Sequence, residues 1–549
     1  MRTGGSMNSC DVLIIGAGPT GLSLACELAR RGVTHLIVDR RDGPATEPRA
    51  LVLWSGAHES LLALGVDPDD LAQGVELHGA TYWSRGRRIG RIGFGSLADR
   101  TVPMPISLPQ PAVEAALHAR YRALGGKVRW HTAFERIEVA DATRTTALLI
   151  DRGAAETVTT QWIVGADGAH SRVRGAAGIP FEGATYPESF VLVDGALTSA
   201  EESRTEAQYH LHPDGVTVVV PLPDGLHRVF LSFDPGPDAP AAGLTLESVN
   251  ALLHARALDR FTVRQADWIS DFRIHRRLAS RYIEDRVVLV GDAAHIHSPV
   301  GGQGMNTGIQ DAVNLGWKLA AHLEHGLGES LVHSYEVERR PVAQQVSKVS
   351  NVQTRLWTLR KPWHRAIRDG GITAVGVLRP VTGRIVASLA QIDLDYGHSP
   401  LTTSGTARTG LMPGRRLGHY PIWIDGRAGA VRQRLADPRP LVIAAGAAAN
   451  ELAVIASESD GRVQTLAIAD RLDRFDADFT LPIGIDRDGA LFRDLGSTGL
   501  ALIRPDGYIA AVSTGTTTRE PFHRLLAQLA GATRRHSDSA NPAEAGTAS

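Results

Sequence analysis

Short apolar runs alternate with helix-patterned stretches at the beginning of the chain. Asp11–Ile15 is a mostly apolar run with the length of a buried parallel strand. Thr20–Arg31 places apolar residues at helical spacing and stops before Gly32, and Thr34–Val38 is a second apolar run. Strand, helix and strand in this order form a βαβ unit, which predicts a doubly wound, Rossmann-type α/β domain.

The pattern changes in the middle of the chain. After a predicted helix at Gln110–Leu124 and a strand at Lys127–His131, short strands follow one another with turn signals such as Pro-Asp-Gly between them. This pattern predicts a largely antiparallel sheet inserted in the first domain. Its predicted strands are Ser189–Leu197, Glu206–His212, Val216–Pro221 and His227–Phe233.

The remaining third returns to alternating elements. Arg286–Val290 is predicted as a buried strand and Gly308–His325 as a long helix, with a further helical region after Pro341. Leu401–Gly410 has the composition of a linker. Beyond it, strands predicted at 440–445 and 499–503 indicate a small separate α/β domain, followed by a polar, disordered tail.

These observations divide the chain into five expected parts. They are a first part of the Rossmann-type domain (1–180), an inserted β-sheet domain (181–275), a second part of the Rossmann-type domain with helices (276–400), a small α/β domain (401–535) and the tail (536–549).

Charge and cysteine content narrow the class of protein. A formal net charge of −1 gives no electrostatic case for nucleic acid or an anionic membrane. The two cysteines, Cys10 and Cys26, cannot form a disulfide framework and fit a reducing cytoplasm. No apolar run has membrane-spanning length, and Met1–Ser6 lacks the apolar core of a signal peptide. We expect a cytoplasmic protein that is a monomer or homodimer.

A glycine fingerprint lies between the first strand and helix, in Gly16-Ala17-Gly18-Pro19-Thr20-Gly21. In such a turn Gly16 permits the tight bend, Gly18 lets the backbone approach a pyrophosphate, and Gly21 lets helix and strand pack closely. Asp39, with Arg40 beside it, ends the second strand, where a carboxylate can accept both hydroxyls of an adenosine ribose.

Two further segments favour FAD over NAD as the bound nucleotide. The first is the Asp-Gly segment that begins at Gly165 and contains Asp167. The second begins at Gly291-Asp292 and continues through Pro299–Asn306 into a helix. Its glycine-rich loop can present backbone N–H groups and a helix dipole to a ligand that gains negative charge, as a flavin does on reduction.

As an ordered set, these segments resemble the FAD-dependent aromatic hydroxylases, or class A flavoprotein monooxygenases. The layout is closest to the branch that contains phenol, pentachlorophenol and aromatic polyketide hydroxylases. The segments Asp311–Leu319 and Glu338–Gln345 are also similar to that branch. Leu502–Tyr508 resembles the signature of its C-terminal thioredoxin-like domain, which here contains no Cys-x-x-Cys, so we expect it to serve packing or self-association rather than redox chemistry.

The resemblance implies a role for particular residues. Asp39 would hold the ribose, Arg49 would lie by the flavin or pyrophosphate, and Asp292 would reach the ribityl–phosphate chain. Asp167 would serve both FAD and the nicotinamide cofactor. The full set of expected cofactor-binding residues is Gly16, Gly18, Pro19, Thr20, Gly21, Asp39, Arg40, Arg49, Gln110, Asp167, Asp292, Pro299, Gly302, Gly304, Met305 and Asn306.

Several assignments stay open at this point. The branch carries an arginine where this chain has Gly56, which suggests a roomier pocket, and no motif fixes a catalytic base. Arg172 and Arg174 are either surface charges or NAD(P)H contacts. His295 and His297 have the spacing of two metal ligands, but no matching set accompanies them, so no metal is expected.

The resemblance implies a monooxygenase that uses FAD, transiently bound NAD(P)H and O2 to hydroxylate an aromatic, phenolic or polyketide-type substrate through a flavin C4a-hydroperoxide. The cofactor carries the oxygen chemistry because side chains cannot. Baeyer–Villiger insertion or epoxidation is the nearest alternative, and an FAD-linked oxidase or dehydrogenase is another. A flavin-binding carrier without turnover is a third.

Overall fold

The computed structural model describes residues 9–98, 103–141, 143–198, 204–233, 245–403, 410–424, 426–469, 480–496, 498–514 and 519–530. The expected C-terminal tail, the first eight residues and most of the expected linker lie outside these ranges.

A mixed eight-stranded sheet forms the first layer and confirms the predicted Rossmann-type opening. Its central strand, Ser9–Ile15, pairs in parallel with Ala154–Gly165 on one side and His35–Val38 on the other. Val12, Leu13 and Ile14 are fully buried in the main apolar core, as expected for a strand inside a parallel sheet. The other strands are Val128–Arg129, Thr132–Ala140, Thr145–Asp151, Ile283–Glu284 and Val287–Leu289. The helices of this part are Pro19–Ala29, Ser55–Ala63, Pro68–Ala72, Gln110–Ala123, Arg172–Ala176 and Gly304–His325.

A second eight-stranded sheet is the inserted, largely antiparallel sheet that the pattern predicts, with Glu206–His212 and Gly79–Ser84 paired in parallel. Two of its strands, Gly79–Ser84 and Arg87–Gly93, come from the first hundred residues, so the sheet is assembled from distant parts of the chain. Helix Leu246–Ala255 covers one face. The remaining strands are Phe181–Leu197, Glu206–His212, Gly215–Pro221, His227–Phe233, Val263–Ala279 and His295–Ile296. A small sheet beside it consists of Val52–Leu53, Val75–Glu76 and Ile106–Ser107.

Three consecutive helices, Ser330–Trp357, Pro362–Val377 and Arg379–Leu389, form the helical region. The first runs through Pro341 instead of beginning after it, which differs from the prediction. A proline removes the hydrogen bond to the carbonyl four residues earlier, and here that carbonyl, on Val337, is within 3.0 Å of His398 Nε2. Within the described residues, no single helix has both the length and the hydropathy of a membrane span.

The C-terminal domain is a seven-stranded mixed sheet with helices, as expected for a thioredoxin-like domain. Its core strands, Leu441–Ala445 and Gln464–Ala469, are fully buried and parallel. The other strands are Pro421–Ile424, Arg427–Ala430, Ile483–Ile485, Gly499–Ile503 and Ile509–Thr514, and the helices are Glu451–Glu458, Ala490–Leu495 and Arg519–Ala530.

A buried ion cluster joins this domain to the helices of the flavin domain. Arg504 donates two hydrogen bonds to Glu338, at 2.6 and 2.8 Å, and Lys318 Nζ donates a third at 2.7 Å. Asp506 accepts from Trp317 Nε1 at 3.1 Å. Burial alone would raise the pKa of Glu338, but Arg504 and Lys318 outweigh it and lower the pKa. The signature motif of the small domain therefore docks on the helix that carries Glu338.

Removing one partner of this cluster should destabilise the protein strongly. We expect Arg504→Met to lower the free energy of unfolding by about 3–5 kcal/mol, because it leaves Glu338 buried without its main counter-charge. Urea denaturation measures the loss. The exposed pair Arg524–Glu520 provides the control, since Arg524→Met should cost no more than about 1 kcal/mol. Equal effects of the two substitutions would contradict the docking role.

Candidate functional site

The glycine fingerprint folds as a turn with no room for side chains at two positions. A Cβ on Gly16, where φ is +107°, would lie 2.3 Å from the carbonyl oxygen of Ala166. A Cβ on Gly21 would lie 1.9 Å from the carbonyl oxygen of Gly16. At Gly18 an added Cβ would meet nothing within 4 Å. Packing therefore requires Gly16 and Gly21, whereas Gly18 faces open space at the beginning of the helix.

The later glycine-rich segment lies directly against this turn. An added Cβ on Gly291 would lie 2.7 Å from Thr20 Oγ1, and one on Gly308 would lie 2.3 Å from the same atom. The two segments, almost three hundred residues apart in the chain, thus meet at the side chain of Thr20. This contact is the one on which a single dinucleotide site depends.

Asn306 connects the loop before helix Gly304–His325 to the strand Val52–Leu53 through hydrogen bonds. Its Oδ1 accepts from the Trp54 N–H at 2.7 Å, and its Nδ2 donates to the carbonyls of Val52 at 2.8 Å and Gly302 at 2.7 Å. Trp54 Nε1 donates to the Gly301 carbonyl at 2.8 Å. Because Asn306 is fully buried, these bonds fix the loop rigidly.

Two helix N-termini without side-chain caps, which we call bare, converge at this loop. One helix begins at Pro19, and the other begins at Gly304, four residues earlier than predicted. Gly304, Met305 and Asn306 therefore form a first turn whose N–H groups have no partner within the helix. Such ends attract anionic groups through their N–H donors and the helix dipole.

A recess lies beside these helix ends. Asp292 and Pro299 keep exposed surface although their neighbours Ala293, Ser298 and Val300 are buried, and the protein atoms around Asp292 are dense enough to desolvate its carboxylate, so Asp292 lies in a concave part of the surface. Burial raises the pKa of Asp292, and the nearby charges of His295 and Arg49 act in the opposite direction. A dinucleotide with phosphates and a ring that gains charge fits this combination of donors and recess.

Asp39 lies beside the glycine turn, at the end of its strand. Its Oδ2 accepts from the Ala17 N–H at 2.7 Å, and its Oδ1 accepts from the Arg41 N–H at 2.9 Å. The Arg41 guanidinium also contacts both oxygens. The arginine expected to accompany Asp39 was Arg40, but Arg40 is exposed and Arg41 makes the contacts. The sequence alone does not distinguish these two adjacent arginines.

Gln110 and Glu114 support the segment that leads to Arg49. Gln110 Oε1 accepts from the Ala50 N–H at 3.2 Å, and its Nε2 donates to Glu114 at 2.9 Å. The buried Glu114 also accepts from the Ala45 N–H at 3.2 Å. Arg49 itself is exposed and pairs with Glu47 at 2.8 Å.

Asp167 shapes the Asp-Gly turn. Its Oδ2 accepts from the N–H groups of Arg172 at 2.7 Å and Val173 at 3.2 Å, and burial raises its pKa. Arg174 donates to the carbonyl of Ala293 at 2.9 Å, which ties the two nucleotide segments together. Arg172 pairs with an exposed glutamate, so the contacts of both arginines are structural ones here.

A buried network beneath the recess contains residues that motif reading did not assign. Asp311 accepts from Arg339 Nε at 2.6 Å and lies 2.7 Å from His295 Nε2. Arg339 also donates to the Tyr396 hydroxyl at 2.8 Å. The similarity of the 311–319 and 338–345 segments to the family was the only available signal. Within the part of the chain that the structure describes, no three His, Cys, Asp or Glu residues cluster as metal ligands.

One face of the second sheet is aromatic and abuts the glycine-rich loop. Tyr82 stacks on Tyr209, with ring centres 4.9 Å apart, and Phe190 stacks on Phe230 at 5.1 Å. Val300 of the loop belongs to the same apolar cluster. We call this group of rings the aromatic face; Tyr82, Phe190 and Phe230 are buried, Tyr209 and Phe272 keep partial exposure, and Trp357 packs on Tyr209 from the end of helix Ser330–Trp357. Two further aromatic residues of this sheet lie elsewhere: Trp83 stacks on His210, and Phe233 packs against the apolar cluster on the opposite face.

Gly56 does not enlarge the pocket, contrary to the expectation from sequence. A Cβ there would lie 2.8 Å from the Ala390 carbonyl oxygen and 2.9 Å from that of Gln391. The Gly56 N–H also donates to the Ala390 carbonyl at 3.0 Å. The end of the helical region therefore occupies the space where a longer side chain would lie.

Comparisons with known proteins match the chain over most of its length. The family described as FAD binding domain matches residues 9–350, and the family described as aromatic-ring hydroxylase, C-terminal, matches residues 411–533. A 6-methylpretetramide 4-monooxygenase from Streptomyces rimosus is 35% identical over 92% of both chains. A pentachlorophenol 4-monooxygenase from Sphingobium chlorophenolicum is 31% identical over 62% of this chain and 64% of that one. The solved structure of an anhydrotetracycline hydroxylase from S. rimosus superposes with a TM-score of 0.79, at 29% identity, over 95% of this chain and 99% of the other.

Two glycines of the fingerprint should respond differently to the same substitution. We expect Gly21→Ala to lower the free energy of unfolding by about 1–3 kcal/mol, because the new methyl group overlaps the Gly16 carbonyl. Gly18→Ala should leave the stability of the ligand-free protein within about 0.5 kcal/mol. It should nevertheless weaken FAD binding at least about tenfold, or ~1.4 kcal/mol. Thermal denaturation and FAD titration check both. Unchanged FAD affinity in Gly18→Ala would contradict the placement of the phosphates.

Gly56 should prove to be a packing position. We expect Gly56→Ala to cost about 1–3 kcal/mol of stability through overlap with two carbonyl oxygens. Gly370→Ala, in an exposed helix where an added Cβ meets nothing within 4 Å, is the matched control and should gain up to about 1 kcal/mol. If Gly56→Ala stabilises the protein as Gly370→Ala does, the space at Gly56 is open after all.

Proposed function

The chain belongs to the family of FAD-dependent aromatic-ring hydroxylases, and we propose that its substrate is a phenolic, fused-ring compound of the polyketide type. The enzyme is a monooxygenase that uses FAD, NAD(P)H and O2 to hydroxylate an aromatic substrate. The observation that carries the proposed substrate class is the aromatic face, which lies against the loop at Val300.

The relatives that match nearly the whole chain support this choice of substrate. The 6-methylpretetramide monooxygenase and the anhydrotetracycline hydroxylase match nearly all of the chain, and their names specify multi-ring compounds. The pentachlorophenol enzyme, named for a single-ring compound, matches only 62% of it. Flat fused rings would stack on Tyr209 and Phe272, the members of the aromatic face that keep partial exposure, and bury apolar area there.

We assign FAD to the recess between the two bare helix ends. The helix that begins at Pro19 would hold the pyrophosphate, with Gly18 allowing close approach, and Asp39 would hold the ribose. Asp292 would bind the ribityl–phosphate chain. Pro299, Gly302 and the N–H groups of Gly304–Asn306 would border the ring. Bound there, FAD supplies the activation of O2 for transfer to the substrate.

The protein itself holds the loop beside the flavin ring in place and keeps water away from the substrate. The Asn306 bonds hold the loop rigidly, so the helix dipole stays directed at the ring edge. The apolar cluster excludes water from the side where substrate would bind. No described side chain is assigned as the base that ionises a phenol. We place the enzyme in the cytoplasm, as a monomer or homodimer.

Purified protein should bind FAD and consume NAD(P)H faster when a fused-ring phenol is added. We expect ¹⁸O₂ to label the product and NMR to show a new phenolic C–O bond with an unchanged carbon skeleton. A single-ring phenol is the matched comparison and should stimulate NAD(P)H consumption less, since it covers less of the aromatic face. A lactone product would indicate Baeyer–Villiger insertion, and an unlabelled product would indicate an oxidase or dehydrogenase. Equal stimulation by both phenols would reject the fused-ring assignment.

A further inference from the structure

A buried ion pair lies at the end of the aromatic face. The side chains of Asp194 and Arg228 are 7% and 3% exposed. Arg228 donates from Nε at 2.6 Å and from its terminal nitrogen at 2.7 Å to the two carboxylate oxygens. The residues are direct cross-strand partners in the sheet. This two-pronged geometry uses only part of the donor capacity of the arginine.

The remaining donors of Arg228 reach into the flavin domain. One nitrogen donates to the Arg49 carbonyl at 2.7 Å, and the other donates to the Pro48 carbonyl. The Asp194–Arg228 pair therefore holds two consecutive backbone carbonyls of the segment that carries Arg49. The charge of Arg49 in turn acts on Asp292 in the recess, where it opposes the rise in pKa that burial causes.

The pair shares its sheet face with the aromatic rings. Asp194 follows Phe190 and Leu192 at alternate positions of one strand, and Arg228 precedes Phe230 by two residues in the next. Trp268, the cross-strand partner of Asp194 on the other side, has its ring centre 5.6 Å from the Arg228 guanidinium carbon. Phe190, Leu192 and Phe230 are buried, whereas Trp268 keeps partial exposure, so a molecule lying against this face would contact the surroundings of the pair at Trp268.

We propose that Asp194 and Arg228 are positioning residues that fix the Pro48–Arg49 segment and couple the aromatic face to the flavin recess. The coupling rests on the proposed function, because it takes the aromatic face as the substrate site. The fixing of the segment does not rest on it, so the two can be tested separately. Neither residue carries out chemistry on the reacting atoms.

Hydrogen exchange tests the fixing. Arg228→Lys keeps the charge but loses the planar fork, and the double variant Asp194→Asn/Arg228→Met removes both charges together, which avoids leaving a buried charge unpaired. Amide exchange in the peptide 45–51 of the FAD-loaded enzyme should rise about tenfold in both variants. Arg256→Lys is the matched control. Arg256 is equally buried, donates to Val216 and Thr217 of the same sheet at 3.1 and 3.0 Å, and should leave this peptide unchanged.

Unchanged exchange in both Arg228 variants, or an equal rise in Arg256→Lys, overturns the fixing role.

The coupling is measured by NAD(P)H oxidation with and without 1,8-dihydroxyanthraquinone as the probe. In the Arg228 variants the stimulation by the probe should fall about tenfold while the KM for the probe changes little, because the defect lies in position and not in binding. Full stimulation combined with faster exchange would overturn the coupling alone. If the wild-type enzyme shows no stimulation, the proposed function fails, and the exchange result still decides the role of the pair.

Discussion

The contact between the first turn of helix Pro19–Ala29 and the glycines at 291 and 308 is the constraint on which the site depends. Thr20 fills the space that a Cβ at either glycine would need, so the two halves of the flavin domain can approach only because those positions lack side chains. Interiors are close-packed, so a methyl group added at either glycine would have to displace the side chain of Thr20. The close approach also brings two helix N-termini without side-chain caps to one recess, so a packing requirement and the proposed anion site arise from the same residues.

Buried charges occur where the separate parts of the chain meet. Glu338 and Arg504 join the small C-terminal domain to the flavin domain, and Asp194 and Arg228 join the second sheet to the segment at Pro48. Burying such groups costs free energy unless every partner is in place, so each pair penalises alternative dockings more than it stabilises the native one. Directional pairs at these junctions therefore set the relative position of parts that apolar packing alone would hold less specifically.

Local sequence patterns predicted the elements whose neighbours lie close in the chain. The first strand, the helix Gln110–Ala123 and the strand Glu206–His212 were found because their periodicity and turn signals are local. The helix through Pro341 was not, because the group that relieves its broken hydrogen bond, His398, is 61 residues from Val337. Within the expected site, the glycine turn followed from sequence, while Arg41 and the network of Asp311 and Arg339 did not. Their importance depends on partners that only the fold brings near.

Gly56 illustrates why the substrate pocket is the part that sequence describes least. The loss of a side chain suggested more space, but backbone from the end of the helical region fills it. The aromatic face has the same property, since Tyr82, Phe190 and Trp357 come from three widely separated segments. A flavin site is built around a constant ligand and is encoded in contiguous motifs. A substrate surface is built from side chains that meet only after folding, so relatives with the same motifs can accept rings of different size.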